Sequence, residues 1–351
     1  MDEVWSERDT SPARIEAALR EIVTEHHRTD HPFVPARVLN VVVVVDAEFR
    51  GEIENRFERV GRYHPSRLVL CAVEHGRTTI DAWAGVGTGE AEPMPGHIAV
   101  ARERVELEIG DKHLSKLDTI VDPLLVSDLA TMVWAPHGHR EAVDALRRLA
   151  QIVLVDTQDE PDVRDSLSRV AALSENAYVV DLAWLRSTPW RERVAAAFDP
   201  PPLRVALGGV SAVTVRHRED SLSAALLFCG WLSSRLGWKP GSLARSGRGH
   251  RGHARARRQE VRIQLDPIDQ NAPGLGGVTI ETASGEAMSL DRAPGGLRAV
   301  RRTRDGSEQT WTVLGASRGE GGILGEGVRQ ALLRDPTYRP ALDCARVWAA
   351  S

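Results

Sequence analysis

The chain has 351 residues, 42% of them apolar and 27% charged, with a formal net charge of −4. Such a length points to two domains and the apolar share excludes wholesale disorder. The slight acidity excludes a global attraction to nucleic acid or acidic lipid. Three scattered cysteines, Cys71, Cys229 and Cys344, exclude a disulfide framework and point to a reducing compartment.

The opening MDEVWSERDT is polar and acidic, unlike a secretory or transit leader. Apolar runs such as Val41–Val45 are too short to cross a bilayer, so a cytoplasmic protein is expected. The first helix is expected over residues 11–27, with Ser11 at its N-cap, Pro12 next, and Ile15, Leu19 and Ile22 on one face. RVLNVVVVVD, residues 37–46, reads as a central strand covered on both faces, because β-branched valines resist helix. Phe49, Ile53, Phe57 and Val60 place a helix after it. Strands follow at 67–73 and 78–84, joined by a His75-Gly76-Arg77 hairpin turn, and at 100–109. A helix is expected at 112–124, and strands at 130–134 and 152–155 bracket another at 141–150.

Helical spacing resumes from about Asp162, and Asp199-Pro200-Pro201-Pro202 reads as the domain break. Beyond it come a strand at 203–216, a helix at 221–236 and four strand-like segments at 260–265, 277–282, 296–302 and 309–314. Helices at 323–333 and 340–349 close the chain. The expected class is α/β. Residues 1–35 form a helix and linker. Residues 36–199 form a domain whose mixed, mainly parallel sheet carries helices on both faces. Residues 200–351 form an α+β domain with an antiparallel sheet and an Arg/Gly-rich loop at 241–259.

Chemistry is sparse. Gly85-Val86-Gly87-Thr88-Gly89 invites a dinucleotide reading, but Pro93 and Pro95 follow where a helix would have to open, so a turn is the better reading. The histidines at 26, 27, 31, 137 and 139 lack metal-ligand spacing, and no nucleophile elbow is present. No catalytic residue, cofactor or metal is expected. Six arginines between Arg245 and Arg258 favour a solvated loop over a phosphate-binding segment, since no aromatic residues interleave to stack bases. DLAWLRSTPWRERVAAAFD, residues 181–199, combines Trp184 and Trp190 with Asp181 and Arg186. That chemistry suits either a binding hot spot or packing at a seam between domains.

RVLNVVVVVD, RYHPSR (62–67), PLLVSDLATMVWAP (123–136), DLAWLRSTPWRERVAAAFD and SLSAALLFCGWLSSRLGW (221–238), taken in order, resemble the OpcA family of glucose-6-phosphate dehydrogenase assembly proteins. The resemblance implies a non-catalytic partner that assembles or allosterically activates that dehydrogenase, feeding the oxidative pentose phosphate pathway and NADPH supply. It nominates His64, Pro65, Ser66 and Arg67, then Trp134, then Asp181, Trp184, Arg186 and Trp190 as partner-contact candidates. The three cysteines show no evident pair for the thiol control attributed to photosynthetic relatives. Two alternatives stay open at this point: a nucleotide- or sugar-phosphate-binding enzyme, and a nucleic-acid binder using the arginine segment.

Overall fold

The computed structural model describes residues 3–28, 33–34, 37–60, 66–87, 99–100, 102–257, 259–314 and 319–351. Its strands are β1 (Glu3–Glu7), β2 (Phe33–Val34), β3 (Leu39–Asp46), β4 (Ser66–Val73), β5 (Asp81–Gly87), β6 (Ala99–Val100), β7 (Arg102–Ile109), β8 (Thr131–Trp134), β9 (Ile152–Val155) and β10 (Tyr178–Asp181). Then come β11 (Val210–Arg218), β12 (Lys239–Ser246), β13 (Gly249–Arg255), β14 (Glu260–Ile268), β15 (Leu275–Thr282), β16 (Ala287–Ala293), β17 (Gly296–Arg302) and β18 (Glu308–Leu314). One eight-stranded sheet runs β1-β5-β7-β4-β3-β8-β9-β10 and another runs β12-β13-β14-β11-β15-β16-β17-β18. Among the described residues no helix is long and apolar enough to cross a membrane.

The valine run forms the centre of the first sheet. Leu39 to Val45 is buried without interruption, and β3 lies parallel to β4 on one side and to β8 on the other. Such a strand has no solvent face, which explains its unbroken apolar sequence. The expected hairpin between residues 73 and 78 does not form. β7 inserts between β4 and β5, parallel to the first and antiparallel to the second. Val105, Leu107 and Ile109 of β7 are fully buried, so β7 takes the inner position and β5 moves outward to pair with β1.

The second sheet is antiparallel except where β11 meets β14. Two readings change here. Residues 203–209 are not strand: Pro200 caps a helix at Pro201–Ala206, and β11 starts only at Val210. Proline fixes φ near the helical value and has no N–H to waste in a first turn, so the triplet opens a helix. The arginine segment is not a loop but the hairpin β12–β13, turned at Gly247 with φ +61°. Two of its arginines are answered by carboxylates, Arg251 by Asp266 at 2.7 Å and Arg248 by Glu219 at 3.6 Å.

Two compact units share the chain. One comprises Met1–Val155, Asn176–Val180 and Leu324–Leu333; the other comprises Asp156–Glu175, Asp181–Ile323 and Arg334–Ser351. In the second unit, helix Leu222–Leu236 is buried along most of its length and lies against helix Tyr338–Ala349. Gly230 permits this approach: a Cβ there would sit 2.1 Å from the carbonyl oxygen of Ala341.

Candidate functional site

Setting aside antiparallel β5, the strands β7-β4-β3-β8-β9-β10 read 3-2-1-4-5-6 when β3 is counted first. In that order the chain reverses direction across the sheet between β3 and β8, and open α/β sheets present their ligand crevice outside the carboxyl ends of such a pair. β3 ends at Asp46, and a short turn, Ala47–Phe49, leads into helix Arg50–Val60. β8 ends at Trp134, which is 2% exposed and packs against Phe57 with ring centroids 5.9 Å apart. After it, His137, Gly138 and His139 take consecutive positive φ values of 65°, 120° and 51°.

Left-handed backbone costs a non-glycine residue about 1–2 kcal/mol, so two histidines in that state need compensating contacts. Both have them. His137 stacks on Phe49 with centroids 4.5 Å apart. His139 Nε2 lies 3.0 Å from Asp46 Oδ1.

The crevice therefore has a definite chemistry. A dinucleotide needs bare backbone amides at the first strand-to-helix turn, close to its pyrophosphate. This turn instead carries the carboxylates of Asp46 and Glu48 beside the Phe49–His137 stack. The turn Asp46-Ala47-Glu48-Phe49 has no glycine to bare its amides for a pyrophosphate, and the residues present do not fit that cofactor. The glycine run fares likewise where it is described: Gly85 lies in β5, and a Cβ there would meet the Trp83 indole at 2.6 Å, so this glycine makes room for a ring. Residues 88–98 lie outside the described residues.

Ser66 and Arg67 begin β4, at the opposite, entering end of the parallel strands from Trp134. The structure thus does not bring Arg67 and Trp134 together. Arg67 Nε donates to Glu103 Oε2 at 2.6 Å and its Nη1 to the Leu124 carbonyl at 3.0 Å. Glu103, whose side chain is 2% exposed, also pairs with Arg37. His64 and Pro65 lie outside the described residues.

Asp181, Trp184 and Arg186 belong to buried polar contacts in the second unit, while Trp190 is buried apart from them with Arg292 over its ring at 5.9 Å. Asp181 ends β10 and caps helix Leu182–Arg186 by accepting from the Ala183 N–H at 3.0 Å. It also accepts from the Thr157 N–H at 3.2 Å, the Thr157 hydroxyl at 2.9 Å and the Tyr338 hydroxyl at 2.9 Å. Arg186 forks onto Asp156 with contacts of 2.8 and 2.6 Å. The Arg191 guanidinium lies 3.4 Å above the Trp184 ring, and burial pushes it down to about 10. Trp184 Nε1 donates to Asp335 at 2.9 Å. Burial opposes ionisation of Asp335, but hydrogen bonds from Thr337 and Trp184 and the charge of Arg191 hold its carboxyl below the usual range. Trp184 and Trp190 are each 2% exposed, so neither ring is itself available to a partner.

Burial, then the charge of Asp156, pushes the Asp181 carboxyl from 3.8 up to about 6. The folded state then holds the proton more tightly than the unfolded chain. This group's contribution is fully present below the ordinary value and is lost as pH rises through about 6. The shift corresponds to about 3 kcal/mol. In denaturant unfolding, the stability difference between wild type and Asp181→Asn, which cannot ionise, is expected to fall by about that amount between about pH 4 and about pH 7. A difference independent of pH would refute the assignment.

Sequence reasoning missed Asp46 and Phe49 as a crevice and Asp156, Arg191, Asp335 and Tyr338 as network members. Asp46 carried a signal, as the first charge after five valines. The network carried none, since Trp184 and Asp335 stand 151 residues apart. Among the thiols, burial pushes Cys71 up to about 12 and raises Cys229 and Cys344, so all three resist forming thiolate.

Fold and crevice together define a doubly wound α/β protein with a second, largely antiparallel sheet domain, whose switch point carries carboxylates in place of a phosphate turn. The chain belongs to the OpcA family: residues 58–172 match the profile described as glucose-6-phosphate dehydrogenase subunit N-terminal domain, and residues 177–342 match that of the C-terminal domain. It is 29% identical over 241 residues to a Synechococcus elongatus protein named "Putative OxPP cycle protein OpcA", covering 66% of this chain and 54% of that one. A protein of the same name from Nostoc punctiforme is 32% identical over 131 residues, covering 36% of this chain and 28% of that one. The chain thus spans about half the length, or less, of these curated relatives. Among solved structures, the probable oxidoreductase yhhX aligns at TM-score 0.49 with 12% identity, over 88% of this chain and 95% of that one. A Gal80p mutant from Saccharomyces cerevisiae aligns at 0.47 with 9% identity, over 86% and 87%.

Proposed function

We propose that this chain is a non-catalytic, cytoplasmic partner of glucose-6-phosphate dehydrogenase that promotes its assembly or activates it allosterically, and so supports NADPH supply through the oxidative pentose phosphate pathway. The observation that carries this reading is the pair of dehydrogenase-subunit profiles, together spanning most of the chain. The carboxylates of the switch point support it, because they suit a partner better than a dinucleotide enzyme. A binder activates by preferring the competent conformation or oligomer, and each tenfold shift in that equilibrium requires about 1.4 kcal/mol of differential binding. We assign contact roles to the β4 entrance (His64, Pro65, Ser66, Arg67), to the Trp134 crevice, and to the surface held by Asp181, Trp184, Arg186 and Trp190.

The test measures activity of the cognate dehydrogenase with and without this protein, and chromatographs the mixture. Activation with co-elution is expected, whereas two folded proteins that neither associate nor change rate would overturn the reading. In parallel, NADP(H) is expected to leave thermal unfolding of this protein unchanged. A true site at a hundredfold excess over Kd would add about 2.7 kcal/mol, so a saturable rise would move the reading to a nucleotide-binding enzyme.

A further inference from the structure

The second sheet ends in two unlike edges. β12 carries Lys239, Pro240 and Arg245, and its register with β13 slips between Pro240 and Leu243. Proline, positive charge and irregularity each discourage a further strand from adding. β18 has none of these. Its sequence, EQTWTVL, contains one charged residue, no proline and a run of β-branched and aromatic side chains. It pairs with β17 in unbroken register over all seven residues. Glu308 to Thr312 are exposed, with Trp311 at 37%, and among the described residues no strand pairs with the outer side of β18. Regular unpaired backbone of this kind is the template for strand addition.

We propose that β18 is an interaction edge that pairs antiparallel with the β18 edge of a second copy of this chain, about a two-fold axis through Trp311. The strand is complementary to itself in that register. Thr310 falls opposite Thr312 of the other copy on one face, while Trp311 meets its own equivalent and Gln309 meets Val313 on the other. Threonine pairs and aromatic pairs are favoured cross-strand neighbours. The two Glu308 carboxylates stand at opposite ends of the ladder, roughly 20 Å apart along the strand, beyond the screening length of physiological salt. An isologous contact of this kind also closes on itself, and the protected β12 edge leaves nothing for a third copy to extend.

Sedimentation of the full chain across a concentration series tests this, and wild type is expected to approach twice the monomer mass. The double variant Thr310→Lys/Thr312→Lys places like charges opposite one another at both positions and is expected to stay monomeric with unaltered unfolding. Mixing it with Thr310→Glu/Thr312→Glu should restore the dimer. Because Trp311 lies on the axis, Trp311→Cys should cross-link to itself on mild oxidation, opposed Cα atoms being about 4.5–5.5 Å apart, while wild type should not. A wild type that stays monomeric, a dimer that survives the lysine pair, or a Trp311→Cys variant that never cross-links would each overturn the proposal. So would a monomeric wild type whose lysine variant loses the dehydrogenase, which would give the edge to that enzyme.

Discussion

Arg186→Ala is expected to lower folding stability by about 3–5 kcal/mol, because it strands a buried charge. The Asp156 side chain is 4% exposed and Arg186 meets both of its oxygens in a fork, so removing the guanidinium leaves a carboxylate with its largest compensation gone. The loss in an alanine variant reports that stranded charge more than the worth of the pair. The double variant Arg186→Ala/Asp156→Asn should therefore recover part of the loss. Urea unfolding of the four proteins of that cycle provides the measurement. A single-variant loss below about 1 kcal/mol, the range of an exposed pair, would show that the fork does not hold the network together.

Gly230→Ala sets two effects against each other. Alanine improves helix propensity by about 1 kcal/mol, which would favour the variant on an open helix. Here the new Cβ meets the Ala341 carbonyl oxygen at 2.1 Å and the Ala345 nitrogen at 3.1 Å, both backbone atoms of the facing helix. No side-chain rearrangement relieves a clash with backbone, so the helices must separate, and overpacking of this kind costs about 1–3 kcal/mol or more. Net destabilisation is expected as the helix pair loosens. Gly51→Ala is the matched control, because helix Arg50–Val60 leaves nothing within 4 Å of that Cβ. It should stabilise by about 0.4–1 kcal/mol. If both variants shift the urea midpoint in the same direction, close approach at Gly230 is not what that glycine provides.

Much of the architecture was legible in the sequence wherever one physical rule dominated. Five consecutive valines could only be a doubly covered strand, and β3 is that strand. The helix expected at 221–236 forms over Leu222–Leu236, and Gly237 after it adopts φ +69°. Readings failed where pairing partners, not local propensity, decided the outcome. The glycine and arginine content of residues 245–258 suits a loop, yet β14 offers a ladder and the segment takes it. β10 is four residues long and β16 is interrupted by Asp291 and Arg292, so neither announces itself by alternation. The contact candidates from 181 to 190 were legible as chemistry but not as geometry. Trp184 and Asp181 are bonded to Asp335 and Tyr338, which no local window reaches.

The division of the chain into units has a consequence for synthesis. The polypeptide passes from one unit to the other five times, after Val155, Glu175, Val180, Ile323 and Leu333. The amino-terminal unit therefore cannot finish while it emerges from the ribosome. Its last segment, Leu324–Leu333, arrives only after residues 181–323 of the other unit have been made. A nascent chain must keep the first sheet waiting for that segment, and a premature stop anywhere before it leaves two incomplete bodies in place of one finished domain.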